Sequence, residues 1–297
     1  MTGPVDQPAA EVDVDQELVR LLLDEQHPDL ADLDLVELDA GWDNVIFRLG
    51  PDLAVRLPRR ELAAPLVAHE QRWLPELAPS LPLAVPAPVR VGRPSAGYPW
   101  SWSITRWFPG ASALHAPPAE PVDAARRLGA FLRALHQPAP ADAPPNPYRG
   151  IPLAERDELT HAGIDQLVDH LDGDRVRACW EAHVALPRWD GPPLWLHGDL
   201  HPHNVVVDDG RITAVIDFGD ITSGDPATDL GIAWMLLPPD ARPVLRDAAG
   251  ADDATWARGR GWALALGLAY LANSASTPDF ARLGRATIDH VLADWTV

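Results

Sequence analysis

LHGDLHPHNVVVDDGRITAVIDFGD, residues 196–220, is the stretch of this sequence that decides the fold. It opens with a His-Gly-Asp turn in which Asn204 follows Asp199 at the D-x-x-x-x-N spacing. Phosphoryl-transfer loops use this spacing to bring a carboxylate and an amide to one metal-bound phosphate. The stretch ends with a D-F-G element at residues 217–219. We therefore expect a catalytic loop followed by a metal-binding turn, with Asp199 accepting or orienting the proton of an attacking hydroxyl.

A β-hairpin is predicted between these two motifs. β-Branched runs at residues 205–207 and 212–216 flank an Asp-Gly pair, which is the strongest short-range signal for a hairpin. The hairpin is expected to bring Asn204 and Asp217 close together. Amide and carboxylate oxygens are ligands that Mg²⁺ prefers, so we predict that these two residues hold the metal.

The two motifs together resemble those of a known family. H-G-D-L-H-P-x-N at residues 197–204 and I-D-F-G-D at residues 216–220 are similar to the motifs of aminoglycoside phosphotransferases and choline kinases, which share a bilobal protein-kinase-like fold. The resemblance implies an α+β protein, with an N-lobe of antiparallel sheet and helix over residues 1–108 and a mostly helical C-lobe over residues 109–297. It also implies ATP or GTP as phosphate donor, Mg²⁺ as cofactor and a small-molecule hydroxyl as acceptor, with an aminoglycoside-type antibiotic as the first candidate.

Other interpretations of the same stretch stay open at this point. His197, His201 and His203 have a spacing that could ligate zinc, which would indicate a zinc hydrolase. Asp217 and Asp220 could simply cap a turn before the next helix. Within the family, macrolides, choline-like alcohols, sugars and homoserine are alternative acceptors, and a nucleotide-binding protein without catalytic activity is a further alternative.

Arg56 is expected to contact the nucleotide phosphates. It lies in Leu-Ala-Val-Arg-Leu at residues 53–57, which resembles the V-A-I-K strand of kinases with arginine in place of lysine. Arginine keeps the charge and adds a bidentate fork, but it is longer and planar, so the replacement is not conservative. By the same resemblance, Glu70 in a predicted helix at residues 61–77 should hold Arg56 in place. An arginine on the outer face of the strand is the alternative interpretation.

The remaining elements are predicted from hydrophobic periodicity. We predict strands at residues 33–38, 45–49, 85–91 and 102–108, and helices at residues 14–26, 122–136, 153–171, 174–186, 226–237, 254–275 and 279–295. In the kinase-like interpretation, Arg106, Trp107 and Phe108 form the hinge whose backbone groups hold the purine. The turn at residues 41–44 would lie over the nucleotide phosphates, or it is an ordinary hairpin turn.

Composition and charge limit the class of partner. The chain of 297 residues has a formal net charge of −19, which argues against a nucleic-acid partner because that needs a basic face. We expect a cationic small molecule instead, although the acidity could also serve solubility. The acids expected to line the acceptor pocket are Glu155, Asp157, Glu158, Asp165 and Asp169. No signal peptide or apolar run of ~18 residues is present, so we expect no membrane association and a cytoplasmic protein.

Overall fold

The computed structural model describes residues 9–40, 43–95, 97–274 and 277–295. The chain forms two compact units. As far as these ranges are described, the N-unit is Gln7–Pro109 with Ala214–Ile221, and the C-unit is Gly110–Thr213 with Thr222–Val297. The D-F-G turn therefore belongs to the N-unit by its contacts. Gly41 and Trp42, in the turn predicted to cover the phosphates, lie outside the described residues.

An antiparallel five-stranded sheet, in the order β1-β2-β3-β5-β4, forms the N-unit together with two helices. The elements are α1 (Gln16–Gln26), β1 (Leu35–Ala40), β2 (Asn44–Leu49), β3 (Leu53–Pro58), α2 (Ala64–Leu77), β4 (Pro88–Gly92) and β5 (Trp102–Arg106). Alternate residues such as Phe47 and Val55 form one buried cluster with Leu22 and Leu23 of α1. Because side chains alternate along a strand, Arg56 projects from the opposite face of the sheet.

The C-unit is mostly helical. Its elements are β6 (Ala111–Ser112), α3 (Pro121–Leu135), α4 (Asp157–Gln166), α5 (Gly173–Val184), β7 (Leu194–Leu196), β8 (Val205–Asp208), β9 (Arg211–Val215), β10 (Thr222–Gly224), α6 (Ala227–Leu230), α7 (Ile232–Leu236), α8 (Arg242–Ala249), α9 (Asp253–Asn273) and α10 (Pro278–Asp294). Helix α9 forms the centre of this unit and is buried along most of its length. It packs closely on α10, where a Cβ at Gly284 would lie 2.5 Å from the Gly267 carbonyl oxygen.

The predicted hairpin is confirmed by β8 and β9. Asp209 and Gly210 both have a positive φ, at 47° and 72°. Two consecutive left-handed residues are typical of the type I′ turn that suits the twist of paired strands. The positive φ that Asp and Gly tolerate therefore explains the hairpin without contacts distant in sequence.

Several elements differ from the prediction for physical reasons. Strands β6, β7 and β10 have only two or three residues, too few to show an alternating pattern. The helix predicted at residues 226–237 is two short helices, α6 and α7, which are separated at Gly231. Among the described residues, the structure has no helix with the length and apolar character needed to cross a membrane.

Candidate functional site

Arg56 connects β3 with α2 and with the D-F-G turn. Its Nη1 donates to Glu70 Oε1 at 2.5 Å and its Nη2 donates to Asp217 Oδ1 at 2.7 Å. Although burial alone would lower the pKa of Arg56, these two carboxylates raise it above its usual value. Burial raises the pKa of Glu70 to about 7 against the effect of the guanidinium, and the charge of Asp217 adds to the rise. The Arg56 side chain is 12% exposed, so it does not lie on a solvent-facing outer face of the strand; its contact with nucleotide phosphates stays a prediction.

Asn44 is a third partner of Arg56, and sequence reasoning missed it. With its amide oxygen directed at the guanidinium, Asn44 accepts from Nε at 3.2 Å and from Nη2 at 2.9 Å. In the β2–β3 ladder Asn44 lies opposite Pro58, so it is a diagonal neighbour of Arg56 on the same face. The guanidinium is thus bonded to three acceptors, two of which a compact ammonium group could also reach.

The D-F-G turn places Asp217 in the left-handed region, with φ of 62°. Aspartate tolerates this conformation better than most residues, and such positions cluster at functional sites. The Asp217 side chain is 53% exposed. Its carboxylate accepts from Arg56 through Oδ1, and within the described residues Oδ2 makes no hydrogen bond. Asp217 therefore presents an oxygen to solvent instead of capping the turn, as a metal ligand would.

Asp199 is held from both sides in the C-unit. Arg149 Nη2 donates to Oδ1 at 2.9 Å, and His201 Nε2 lies 3.3 Å from Oδ2. His201 Nδ1 accepts from the His203 backbone N–H at 3.2 Å, so the ring proton is on Nε2 and is donated to Asp199. Burial would raise the pKa of Asp199, but His201 and Arg149 hold it well below its usual range. Asp199 is therefore an ionised carboxylate at neutral pH.

Arg149 was missed because nothing in its sequence context points to Asp199. It follows a proline-rich segment and lies in a turn where its backbone N–H donates to Asn146 Oδ1 at 3.1 Å. The next residue, Gly150, has φ of 71°, and its N–H donates to Thr228 Oγ1 at 3.2 Å. Contacts that are distant in sequence thus position Arg149, and local pattern cannot predict them.

Asn204 has the features of an oxygen ligand for a hard cation. It is 6% exposed, and its Nδ2 donates to the Asp199 carbonyl at 3.0 Å. That bond fixes the amide group, and its oxygen makes no hydrogen bond in the described part of the chain. The chemistry of Asn204 and Asp217 therefore fits Mg²⁺. Because the two residues belong to different units, their shared role stays a prediction.

The zinc interpretation is not supported by the histidines. His197 Nδ1 accepts from the Asp199 N–H at 3.2 Å, and both ring nitrogens of His201 are used inside the loop. In residues 9–40, 43–95, 97–274 and 277–295, no group of three His, Cys, Asp or Glu side chains could hold a metal ion. These rings stabilise the loop instead.

Asp229 holds the backbone of the catalytic loop by hydrogen bonds. It is fully buried and accepts from the backbone N–H groups of His197 at 2.8 Å and Gly198 at 3.0 Å. His136 Nε2 lies 3.1 Å from the same carboxylate. Burial would raise the pKa of Asp229, but the hydrogen bond from His136 lowers it. Asp225, four residues earlier, does not contact the loop in this way: it accepts from the Ala227 N–H at 3.0 Å and pairs with Arg258 at 2.7 Å.

The predicted hinge residues follow β5. The Trp107 N–H donates to the Asp52 carbonyl at 2.8 Å, and Arg48 lies over the Trp107 ring at 4.9 Å. Among the described residues, the Phe108 N–H has no hydrogen-bond acceptor. The Phe108 N–H is therefore available to a ligand such as a purine, whereas the Trp107 N–H is already bonded.

Two of the acids expected to line an acceptor pocket bond to other side chains. Asp157 accepts from Trp180 Nε1 at 2.8 Å, and Asp165 forms a surface pair with Arg177 at 2.8 Å. The groups that contact Asp199 are Arg149, which is cationic, and the ring of His201. Local charge at this carboxylate is therefore opposite in sign to the net charge of the chain.

Comparisons with known proteins agree with the loop and the turn. Residues 34–262, more than half of the chain, match the phosphotransferase enzyme family. An aminoglycoside 3'-phosphotransferase of Escherichia coli is 31% identical over 150 residues, which cover 46% of this chain and 53% of that protein. The uncharacterized protein YcbJ of Bacillus subtilis (strain 168) is 27% identical over 154 residues, covering 50% and 47%. The chain thus spans about half the length of the curated relatives it matches.

Solved structures confirm the kinase-like fold. The GDP and kanamycin complex of APH(2")-IIia has a TM-score of 0.71 and 20% identity, covering 95% of this chain and 100% of that one. Macrolide 2'-phosphotransferase MphH from Brachybacterium faecium has a TM-score of 0.61 and 23% identity, covering 95% and 99%. With the match over residues 34–262, these findings show that the chain belongs to the phosphotransferase enzyme family.

Proposed function

We propose that this protein transfers the γ-phosphate of ATP or GTP to a hydroxyl group of a small molecule, in a reaction that depends on Mg²⁺. The observation that carries the proposal is the ionised carboxylate of Asp199, fixed by Arg149 and His201 beside the free amide oxygen of Asn204. This combination suits a loop that orients a hydroxyl and binds a metal-bound phosphate. The match to the phosphotransferase enzyme family supports it.

In the N-unit, Arg56 is the residue proposed to bind phosphate oxygens. Glu70 and Asn44 fix the guanidinium plane. With Nε and Nη2 already donating to Asn44 and Asp217, the second N–H of Nη1 is the one left to donate to a phosphate oxygen. The Phe108 N–H is the proposed donor to the purine. Asn204 and Asp217 would hold Mg²⁺, which when bound neutralises charge on the phosphates.

In the C-unit, Asp199 is proposed to orient the acceptor hydroxyl rather than to act as a strong base. Arg149 and His201 lower its pKa well below the usual range, which weakens it as a proton acceptor. Phosphoryl transfer passes through a loose transition state in most analyses, so positioning contributes more than early deprotonation. A hydrogen bond from the hydroxyl to Asp199 would set the line of attack.

The class of acceptor is argued from the relatives and from the net charge. Aminoglycosides are the first group to test, because one relative is an aminoglycoside 3'-phosphotransferase and a structural neighbour was solved with kanamycin. The net charge of −19 favours a cationic acceptor through long-range attraction. Macrolides are the second group, because a macrolide phosphotransferase shares the fold.

Nucleotide hydrolysis without an acceptor, measured with and without Mg²⁺, tests the donor half of this proposal. We expect slow, Mg²⁺-dependent release of phosphate that Asp199→Ala reduces. A screen of aminoglycosides, macrolides and simple alcohols then tests the acceptor. For a polycationic acceptor, kcat/KM should fall clearly between low and high salt, because charges are screened over ~8 Å at physiological ionic strength. Activity that survives removal of Mg²⁺ and comes with stoichiometric zinc would contradict the proposal.

Arg56→Lys should lower kcat/KM by about 10-fold or more although it keeps the charge. Lysine can reach Glu70 and Asp217, but it cannot also donate the two N–H groups that Asn44 accepts, and a lost hydrogen bond to a charged group is worth about 1.5–3 kcal/mol. Steady-state kinetics with varied nucleotide measure the effect. Asn44→Ala is the matched control. In the wild-type protein, where Arg56 donates to Asn44, this change should lower kcat/KM. In the Arg56→Lys variant it should lower kcat/KM little further. Unchanged kinetics in both Arg56→Lys and Arg56→Ala would place Arg56 outside the site.

A further inference from the structure

Arg156 is a buried cation that has no counter-charge. It ends a 3₁₀ turn, Leu153–Arg156, and is 7% exposed. Its Nε is buried without a hydrogen-bond partner, and among the described residues no carboxylate oxygen lies within 4.0 Å of its guanidinium. The neighbouring acid Asp157 accepts from Trp180 instead. Nothing in the described chain therefore balances this charge.

The charge of a second arginine acts on Arg156. The pKa of Arg156 is lowered to about 10, mainly by burial, and the charge of Arg149 acts in the same direction. The Trp262 ring, 5.9 Å from Arg156 Cζ, offers only a weak attraction at that distance. Burying an unpaired cation next to a like charge costs free energy. A ligand that supplies the missing charge would offset this cost.

Arg149 links this location to the proposed reaction. Its Nη2 donates to Asp199 Oδ1, the carboxylate that would orient the acceptor hydroxyl. Asp199 is an acidic partner of Arg149, whereas Arg156 has no acidic partner among the described residues. The whole chain carries −19, and this positive location therefore contrasts with its surroundings.

We propose that Arg156 and Arg149 form a binding site for an oxyanion, a phosphate or a carboxylate group, beside Asp199. Planar guanidinium groups match the geometry of these anions with parallel hydrogen bonds. The identity of the oxyanion rests on the proposed function, in which two groups could supply it. It is either an acidic group of the acceptor or the phosphoryl group that the acceptor has received.

Thermal unfolding of the full chain without nucleotide tests the site. A ligand that binds the folded state raises Tm, so inorganic phosphate should raise the Tm of the wild-type protein above that in sodium chloride of equal ionic strength. Arg156→Met should lose this response. Because it removes an unpaired buried charge, it should also have a Tm at least about 2 °C higher without phosphate. Arg126→Met, the same change at an exposed arginine of α3, should keep the wild-type response.

Two further measurements separate the sources and guard against a folding defect. Glycerate and gluconate carry a carboxylate and hydroxyls: if they raise Tm as phosphate does, the site takes an acidic group of the acceptor, and if phosphate alone does so, it takes the transferred phosphoryl group. Arg156→Lys keeps the charge without the fork and should show a reduced response. An absent response in the wild type, or an equal one in wild type and Arg156→Met, would overturn the site. Since no nucleotide is present, these outcomes do not depend on whether the kinase reaction is found.

Discussion

Replacing Asp199 with alanine is expected to lower kcat by about 10²-fold or more, the scale of a positioned acid–base group, while nucleotide binding is retained. The carboxylate is fixed by Arg149 and His201, so its loss removes the group that orients the acceptor hydroxyl. Steady-state kinetics give kcat, and calorimetric titration gives the Kd of the nucleotide. Asp199→Asn is the closer variant, because it keeps the size of the side chain and removes only the charge. Near-normal turnover in either variant would contradict the assignment.

The pH dependence gives a control for the same residue. The pKa of Asp199 is lowered in the folded protein, so its pairing contributes stability above the unfolded value of about 3.9. That contribution is lost as pH falls through the folded pKa. Asp199 therefore stays ionised from neutral pH down to strongly acidic solution. The wild-type kcat profile should show no acid limb from this group between about pH 5 and 8, where a carboxylate with a raised pKa would produce one.

The parts of the site that were predictable depend on local chemistry or on motif resemblance. An Asp-Gly pair forces two left-handed residues, so the β8–β9 hairpin could be read from the sequence. The contact between Arg56 and Glu70 followed from the resemblance of the strand and helix that carry them to those of kinases. The charge and the planar fork of Arg56 were also visible in the sequence, but its third acceptor was not. Asn44 is a partner across a strand pair, and its register becomes known only when the ladder is known.

The contacts that sequence could not predict join segments that are far apart. Arg149 reaches Asp199 from a proline-rich segment with no periodicity, and His136 reaches Asp229 from the end of α3. The charge argument failed to anticipate Arg149 for a related reason. Net charge averages the whole chain and describes long-range attraction, whereas the pKa of a buried carboxylate is set by the groups that touch it. A chain of −19 can therefore hold its reacting carboxylate between an arginine and a histidine.

Asp217→Asn is expected to weaken binding of the Mg²⁺ complex of the nucleotide by about 10-fold or more, and to change binding of the metal-free nucleotide much less. Asp217 presents a half-exposed carboxylate, and asparagine keeps one oxygen but loses the charge that a hard cation favours. Calorimetric titrations with and without Mg²⁺ give both affinities. Asp209→Asn is a matched control, because it makes the same change at the other non-glycine residue with positive φ among those described, 47° against 62°.

The ion pair with Arg56 provides the competing explanation for an effect at Asp217. If Asp217 acted only by holding Arg56 in place, the loss of its charge would weaken nucleotide binding equally with and without Mg²⁺. Glu70 and Asn44 still hold the guanidinium in Asp217→Asn, and an asparagine oxygen can still accept from Nη2. The positioning effect should therefore be small and independent of the metal. Equal weakening under both conditions would remove Asp217 from the predicted metal pair, whereas a Mg²⁺-dependent loss that Asp209→Asn does not share would place the metal at Asp217.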